Sequence, residues 1–250
     1  MNETQKKHMM NEVKDEVIRL YEMENYSLSE ILDHFHIKIE PYVSLMTDYH
    51  CACMEVETKF RVLSSRLSVY GDLNPIETIK SRIKSPESII RKLDRKNMPI
   101  NIESIKDGLT DVAGVRVICS FIEDIYRMEK VFLEQDDITL INRKDYIEQP
   151  KYNGYRSLHL IVTVPIFTET GKRFVNVEVQ MRTIAMDFWA SLEHKLRYKK
   201  DMPDDLLNSL SEELKICAEE SAALDQRMEK VKNRIIHSNQ MESEFRVRSE

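Results

Sequence analysis

Four short stretches of this sequence gather residue types that can handle phosphate esters. The first is Arg82-Ile83-Lys84-Ser85-Pro86-Glu87-Ser88-Ile89-Ile90-Arg91-Lys92. Serine followed by proline marks a helix start, with Ser85 as the cap and Pro86 at the first helical position. Ser88 and Lys92 then fall one turn apart on one face, and Lys84 lies just outside the N-terminus. Free backbone N–H groups and the positive end of the helix dipole coincide there with a hydroxyl and two ammonium groups, a cradle for a polyphosphate. Taken alone, the segment also reads as a capped basic helix with a solvated face.

Asp111 comes next, just ahead of a strand carrying Arg116. An acid at a sheet edge can hold Mg²⁺, which takes one or two carboxylates together with phosphate oxygens. A single acid there can equally be a turn residue or helix cap. The third stretch, from Lys144 to His159, is dense in donors and aromatic surface and turns at Asn153-Gly154. Tyr155 can stack a purine while Lys144, Lys151 and Arg156 meet its phosphates. Beyond the turn, Ser157 and His159 share one strand face and Leu158 and Leu160 the other. In the fourth, Val177-Glu178-Val179-Gln180-Met181-Arg182-Thr183, the valines point one way and Glu178, Gln180 and Arg182 the other. A carboxylate set between an amide and a guanidinium can serve as general base or metal ligand, or simply lie on a wet strand face.

These stretches need a scaffold, and the chain divides into three textures: a helical region over 1–71, a mixed region over 72–200, and a helical region over 201–250. Met46, Tyr49, Cys53, Val56, Phe60, Leu63, Leu67 and Tyr70 step by three and four, a heptad seam. A weaker series (Met10, Val13, Val17, Leu20) suggests an earlier helix, with Pro41 marking a break between the two. After Pro203 the seam pattern returns in Leu210, Leu214, Cys217, Ser221, Leu224, Met228, Val231 and Ile235. Either seam can pack within the chain or across a subunit boundary. In the middle region helices are expected from Pro86 to about Asn97 and from Thr183 to Tyr198. Strands are expected at Val115–Phe121, Ile138–Ile141, Ser157–Ile166 and Arg173–Met181, the last two joined by a turn at Glu169-Thr170-Gly171.

Five glycines in 250 residues leave no glycine-rich phosphate loop, so phosphates must be met by side chains and helix ends. The chain is 42% hydrophobic and 32% charged, ample for a core, and its net charge of −6 argues against non-specific or stable nucleic-acid binding. No apolar run approaches a membrane span, and the charged N-terminus does not resemble a signal peptide, so a cytoplasmic protein is expected. Cys51, Cys53, Cys119 and Cys217 form no CxxC pair, and the cluster of Cys51 and Cys53 with His34, His36 and His50 has no standard zinc spacing.

In order, Arg82-x-Lys84-x₃-Ser88-x₃-Lys92, Asp111-x₂-Gly114-Val115-Arg116, Lys144-Asp145-Tyr146-Ile147-x₂-Pro150-Lys151-x-Asn153-Gly154-Tyr155-Arg156-Ser157-x-His159 and Glu178-Val179-Gln180-x-Arg182-Thr183 resemble the synthetase domain of the RelA/SpoT alarmone synthetase family. The resemblance covers about residues 75–200. It implies an α+β fold, a mixed β-sheet flanked by helices and related to nucleotidyltransferases. The short length resembles the stand-alone small alarmone synthetases, and the wording from Lys84 to Ser88 the RelP branch more than the RelQ branch. The implied reaction moves pyrophosphate from ATP to the ribose 3′-hydroxyl of GDP or GTP. By resemblance, Arg82 and Arg116 sandwich adenine, and Lys84, Ser88 and Lys92 hold the ATP phosphates. Asp111 binds Mg²⁺; Glu178 assists and acts as base. Tyr155 stacks on guanine with Lys151, Asn153 and His159, Lys144 lies near phosphates, and Gln180 positions the acceptor or Glu178. Long relatives carry arginine where Asn142 stands, with Arg143 displaced by one, which leaves GDP and GTP both open as acceptors. No hydrolase His-Asp pair or room for C-terminal regulatory domains is seen, and the family's terminal helices imply a homotetramer. The tRNA 3′ end or an adenine nucleotide as acceptor, and a non-catalytic alarmone-binding module, are the alternatives.

Overall fold

Alternation of apolar and polar residues builds the sheet, and the apolar half of that alternation decides where the helices go. The structure, a computed structural model, describes residues 28–70, 74–197 and 204–247. Its elements run α1 (Leu28–Tyr70), β1 (Ile76–Ile83), α2 (Pro86–Arg95), α3 (Ile102–Gly108), β2 (Ala113–Cys119), α4 (Ile122–Leu133), β3 (Thr139–Asp145), β4 (Leu158–Thr168), β5 (Gly171–Thr183), α5 (Ile184–Arg197) and α6 (Asp204–Val247). The five strands form one sheet in the order β1-β2-β5-β4-β3. β2 and β5 are parallel and the other neighbours antiparallel, so the sheet is mixed. This is the α+β architecture expected from the sequence.

Val115, Val117, Leu158, Leu160, Val162, Val177, Val179 and Met181 are buried on one sheet face. The seam of α1 covers that face: Tyr49, Cys53, Val56 and Phe60 are buried and Met46, Leu63 and Leu67 pack at its margin. From α4 come Ile125, Met128 and Phe132, and the rings of Phe60 and Phe132 stack at 4.4 Å between centroids. Burying such side chains contributes about 1.5–3 kcal/mol each, so this layer fixes the sheet in place. The first seam is therefore spent within the chain. Cys53 sits in this core with its Sγ 3.8 Å from the Gly114 carbonyl oxygen, and burial pushes its thiol up to about 11.

Three expectations change. α1 runs through Pro41 instead of breaking there. Proline removes one helical hydrogen bond, but Pro41 precedes the buried stretch beginning at Leu45 and leaves its packing intact. The series from Met10 to Leu20 lies outside the described residues. β3 extends to Asp145, beyond the Ile141 expected, because Asn142 to Asp145 pair with Ile161 to Leu158. β1 was not foreseen at all; its pairing to β2 carries Arg82 opposite Gly114.

The second seam differs from the first. α6 lies against α5 through Trp189, whose Nε1 donates to the Leu214 carbonyl at 2.8 Å, and Ser221, whose hydroxyl donates to the Ala185 carbonyl at 3.2 Å. Leu224, Met228, Val231 and Ile235 stay exposed. Among the described residues no helix is long and apolar enough to cross a membrane.

Candidate active site

The sheet face opposite α1 and α4 is polar, and register sets what it displays. Arg82 pairs with Gly114, Arg116 with Gln180, Gly114 with Glu178, and His159 with Gln180, so arginines, acid, amide and imidazole stand in adjacent rows.

At one side, β1 feeds α2 through Lys84, whose backbone N–H is held by the Val112 carbonyl at 2.9 Å. Ser85 caps α2: its Oγ accepts from the Ser88 N–H at 3.4 Å, and Pro86 follows at the first position, as the sequence implies. The helix ends at Lys96, with Asn97 in the left-handed region at φ 52°, a conformation asparagine tolerates better than most residues. Lys84 and Lys92 both donate from Nζ to Asp111 Oδ2 at 2.5 Å. The other carboxylate oxygen, Oδ1, is buried and without a hydrogen-bond partner among the described residues. Burial pushes the Asp111 carboxyl up, but the two lysines outweigh it and hold it below the usual carboxylate range. Ser88 Oγ receives Arg91 Nη2 at 3.2 Å. A cavity of about 720 Å³ is lined by Arg82, Lys84, Ser88, Arg91 and Arg95. Arg91 and Arg95 were not singled out from the sequence, although Arg91, three residues after Ser88, sits within the quoted motif.

Next to it, Arg82 and Arg116 border a smaller cavity of about 280 Å³ whose lining includes Gly114, Glu178 and Gln180. Arg116 loses basicity, first through burial and then through the neighbouring Arg182.

Glu178 stands at the centre of the polar face. Its Oε1 is 3.1 Å from His159 Nδ1, and its Oε2 accepts from Gln180 Nε2 at 2.8 Å. Burial raises its carboxyl, yet the bonds from His159 and Gln180 bring it below the usual range against the opposing field of Asp111. The network continues outward. Arg182 Nη2 donates to the Tyr155 hydroxyl at 2.7 Å, and that hydroxyl lies 2.8 Å from His159 Nε2. A guanidinium can only donate. The tyrosine oxygen therefore accepts from Arg182, and its contact with Nε2 links the guanidinium to the imidazole whose Nδ1 faces Glu178. Arg182 also donates to Gln180 Oε1 at 3.2 Å and to Asp187 Oδ1 at 3.0 Å.

The loop between β3 and β4 carries the aromatic wall. Lys151 Nζ lies 4.6 Å from the Tyr146 ring centroid and 4.7 Å from that of Tyr155, and Tyr146 meets His159 edge-on. Asn153 is turned to structural use: its Oδ1 accepts the Tyr155 N–H at 3.3 Å and its Nδ2 reaches Glu193 at 3.2 Å. Gly154 adopts φ +83° and packs against α6, where an added Cβ would stand 2.4 Å from the Ala218 Cβ. Lys144 pairs with His159 across β3 and β4, which puts it on the polar face, exposed at the edge strand. Arg143 is on the other face, bonded to Glu129 at 2.6 and 3.1 Å. The displaced arginine noted in the sequence is thus committed to α4.

So Lys84, Lys92 and Asp111 are brought together, as are Glu178, Gln180, His159 and Tyr155, with Arg82 and Arg116 alongside. Lys144 shares the face without joining these contacts. Asp187, in the first turn of α5, was not found from the sequence; a lone acid on a helix gives no chemical signal. A further cavity, about 860 Å³, lies elsewhere, bordered by Phe121, Ile184, Phe188, Leu224 and Met228, and carries none of these polar groups.

The family model described as a region found in RelA / SpoT proteins matches residues 81–203. GTP pyrophosphokinase YwaC of Bacillus subtilis is 43% identical over 204 residues, covering 82% of this chain and 96% of that protein. The crystal structure of small alarmone synthetase 2 from Bacillus subtilis is 44% identical with a TM-score of 0.67, over 77% of this chain and 98% of that one. Small alarmone synthetase 1 from the same organism, solved bound to its product pppGpp, is 32% identical with a TM-score of 0.71, over 78% and 98%. The motifs that cluster on the polar face fall within the matched segment, and the chain belongs to the RelA/SpoT family.

Proposed function

We propose that the chain is a GTP pyrophosphokinase that transfers the β,γ-pyrophosphate of ATP to the ribose 3′-hydroxyl of GDP or GTP, giving ppGpp or pppGpp and AMP. The observation that carries this reading is the position of Glu178. It lies between an arginine-flanked cavity, which shares Arg82 with the cavity at the basic start of α2, and an aromatic loop built on Tyr155. A base so placed has a polyphosphate donor on one side and a nucleoside acceptor on the other.

In this reading Arg82 and Arg116 bracket the donor base, and Lys84, Ser88 and Lys92 take its phosphates, the two lysines leaving Asp111 as they do so. Tyr155 and Lys151 receive guanine, with its orientation fixed from behind by His159. The loop conformation needed for this is held by Asn153, and Lys144 extends the basic rim toward the acceptor phosphates. The 3′-hydroxyl loses its proton to the Glu178 carboxylate as its oxygen bonds to the β-phosphorus, while the bond from that phosphorus to the oxygen bridging to the α-phosphorus breaks and AMP departs. Gln180, bonded to both Glu178 and Arg182, keeps the carboxylate aimed. Positioning and charge neutralisation supply most of the acceleration in such transfers.

Asp111 and Glu178 suit a magnesium ion: both are hard oxygen donors, and the buried, unpartnered Oδ1 of Asp111 has room in its hydrogen-bonding for a cation. Bound there, Mg²⁺ would neutralise charge on the phosphates. The exposed apolar residues of α6, with Phe188, support association of copies into a homotetramer, which light scattering would test by finding mass above that of one chain. Its substrates are the nucleotides of the cytoplasm, where we place its action.

The test is to incubate the protein with ATP labelled in the β- and γ-phosphates, magnesium, and GDP, GTP, AMP or tRNA separately. Label is expected in a guanosine product, with one AMP released per product. Label in tRNA or an adenine nucleotide alone, or nucleotide binding without AMP release, would overturn the proposal.

A further inference from the structure

One carboxylate joins the two halves of the polar face. Asp187 Oδ1 accepts from Arg116 Nη1 at 3.3 Å and from Arg182 Nη1 at 3.0 Å. Arg116 stands on β2 and Arg182 on β5, the parallel central pair. Arg116 borders the cavity on the donor side. Arg182 holds the Tyr155 hydroxyl at 2.7 Å and lies 5.1 Å from that ring's centroid, on the acceptor side.

The two arginines are not held equally. Arg182 has Gln180, Tyr155 and Asp187 as partners. Arg116 has Asp187 as its side-chain hydrogen-bond partner among the described residues, and the buried Nε of each arginine has none. Among the described residues, the hydrogen bond that orients the Arg116 guanidinium is the one to Asp187. A buried and a half-buried cation side by side repel each other, and a shared anion is what lets them stand close. Movement of either arginine shifts the oxygen to which the other is bonded.

We propose that Asp187 is a positioning residue that couples donor and acceptor binding, by holding Arg116 in the plane needed to face the donor base and Arg182 in the place that orients Tyr155. This rests on the reading of the site as a pyrophosphate transferase, in which Arg116 faces donor and Tyr155 faces acceptor. A donor base stacked on Arg116 fixes that guanidinium, which fixes Asp187, which fixes Arg182 and the tyrosine hydroxyl. The second nucleotide then meets a site already ordered by the first. Asp187 touches neither nucleotide in this scheme.

Calorimetric titration of GDP into the protein, with and without a non-hydrolysable ATP analogue, tests the coupling, together with steady-state kinetics. In the unmodified protein the analogue is expected to tighten GDP binding by about tenfold, within the usual range for coupled sites. With Asp187→Asn, each nucleotide alone should bind within about threefold of the unmodified protein while the coupling falls to about twofold or less. The KM for GDP at saturating ATP then rises by about fivefold, with kcat within about threefold, because the lost interaction acts on binding. Should the asparagine variant fail to fold, Asp187→Ser removes the same charge, suits a helical first turn, and gives the same readout. Retention of the full coupling in a folded, uncharged variant, or absence of coupling in an unmodified protein that makes product, overturns the role of Asp187 alone. An unmodified protein that makes no guanosine product overturns the underlying reading as well.

Discussion

Replacing Gly154 by alanine should report on how firmly the acceptor loop is clamped to α6. Gly154 has φ +83°, and a Cβ there would stand 2.4 Å from the Ala218 Cβ. The left-handed conformation costs an L-residue about 1–2 kcal/mol, and forcing a methyl group into occupied space typically costs about 1–3 kcal/mol. Together Gly154→Ala should destabilise by about 2–5 kcal/mol. For a chain of this size each kcal/mol moves the unfolding midpoint by about 2–4 °C, so a fall of roughly 4–20 °C is expected if the loop unfolds with the rest. If the loop instead lifts away from α6, the same energy appears as a higher KM for GDP with the KM for ATP unchanged. The double variant Gly154→Ala/Ala218→Gly separates the two contributions. It removes the overlap but leaves the backbone strain, so a double-mutant cycle should recover about 1–3 kcal/mol of favourable coupling after subtracting about 1 kcal/mol for glycine in a helix. A single variant with an unchanged midpoint and unchanged GDP kinetics, or a cycle showing no coupling, would refute the reasoning.

Further predictions concern the acids. Glu178→Gln preserves shape, so binding of both nucleotides should persist while kcat falls by about 10²–10⁴-fold in an AMP-release assay; near-normal turnover with intact binding would remove Glu178 as the base. Chelation of divalent cations should stop product formation and added magnesium restore it, and Asp111→Asn should raise the magnesium concentration needed for half-maximal rate. Asp111 and Glu178 both have folded-state values below their unfolded ones. Their contribution to stability is present above the ordinary carboxylate range and is lost only as pH falls below it. Asp225 is the opposite case. Burial raises its carboxyl above the ordinary value despite the bond from Thr183 at 2.6 Å. The folded state then binds the extra proton, so wild-type stability relative to Asp225→Asn should grow as pH falls toward the ordinary carboxylate range, and denaturant midpoints flat across that window would contradict this.

The parts legible in the sequence are those where one residue type does one thing. Ser85-Pro86 announces a capped helix and delivers one. The alternation in β4 and β5 announces which side chains share a face, because a half-buried strand can hardly be read otherwise. β1 escaped notice because it is an edge strand with both faces largely exposed, so Thr78, Lys80, Ser81 and Arg82 give no alternation to detect. The same is true of the polar end of β3. Lys84 and Lys92 were expected to meet phosphates, and their shared contact with Asp111 was not foreseen, since it depends on how α2 folds back over the start of β2. Asp187 was invisible for a related reason: its meaning lies in two arginines that are 71 and 5 residues away in the chain. The choice between packing seams could not be read from period alone. α1 and α6 carry the same three-four rhythm, yet one is buried under the sheet and the other keeps Leu224, Met228, Val231 and Ile235 exposed.

The double lysine contact on Asp111 has a consequence for anyone selecting variants of this protein. The carboxylate occupies the ammonium groups that the phosphates are proposed to claim, acting as a resident stand-in for them. A screen for folded, heat-resistant variants would therefore favour substitutions that tighten this trio, such as those that shield it further from water. Each such gain would have to be undone whenever a donor enters. Selection on stability alone should drift toward sturdier and slower enzymes, whereas selection in the presence of the donor would reward lysines that let go.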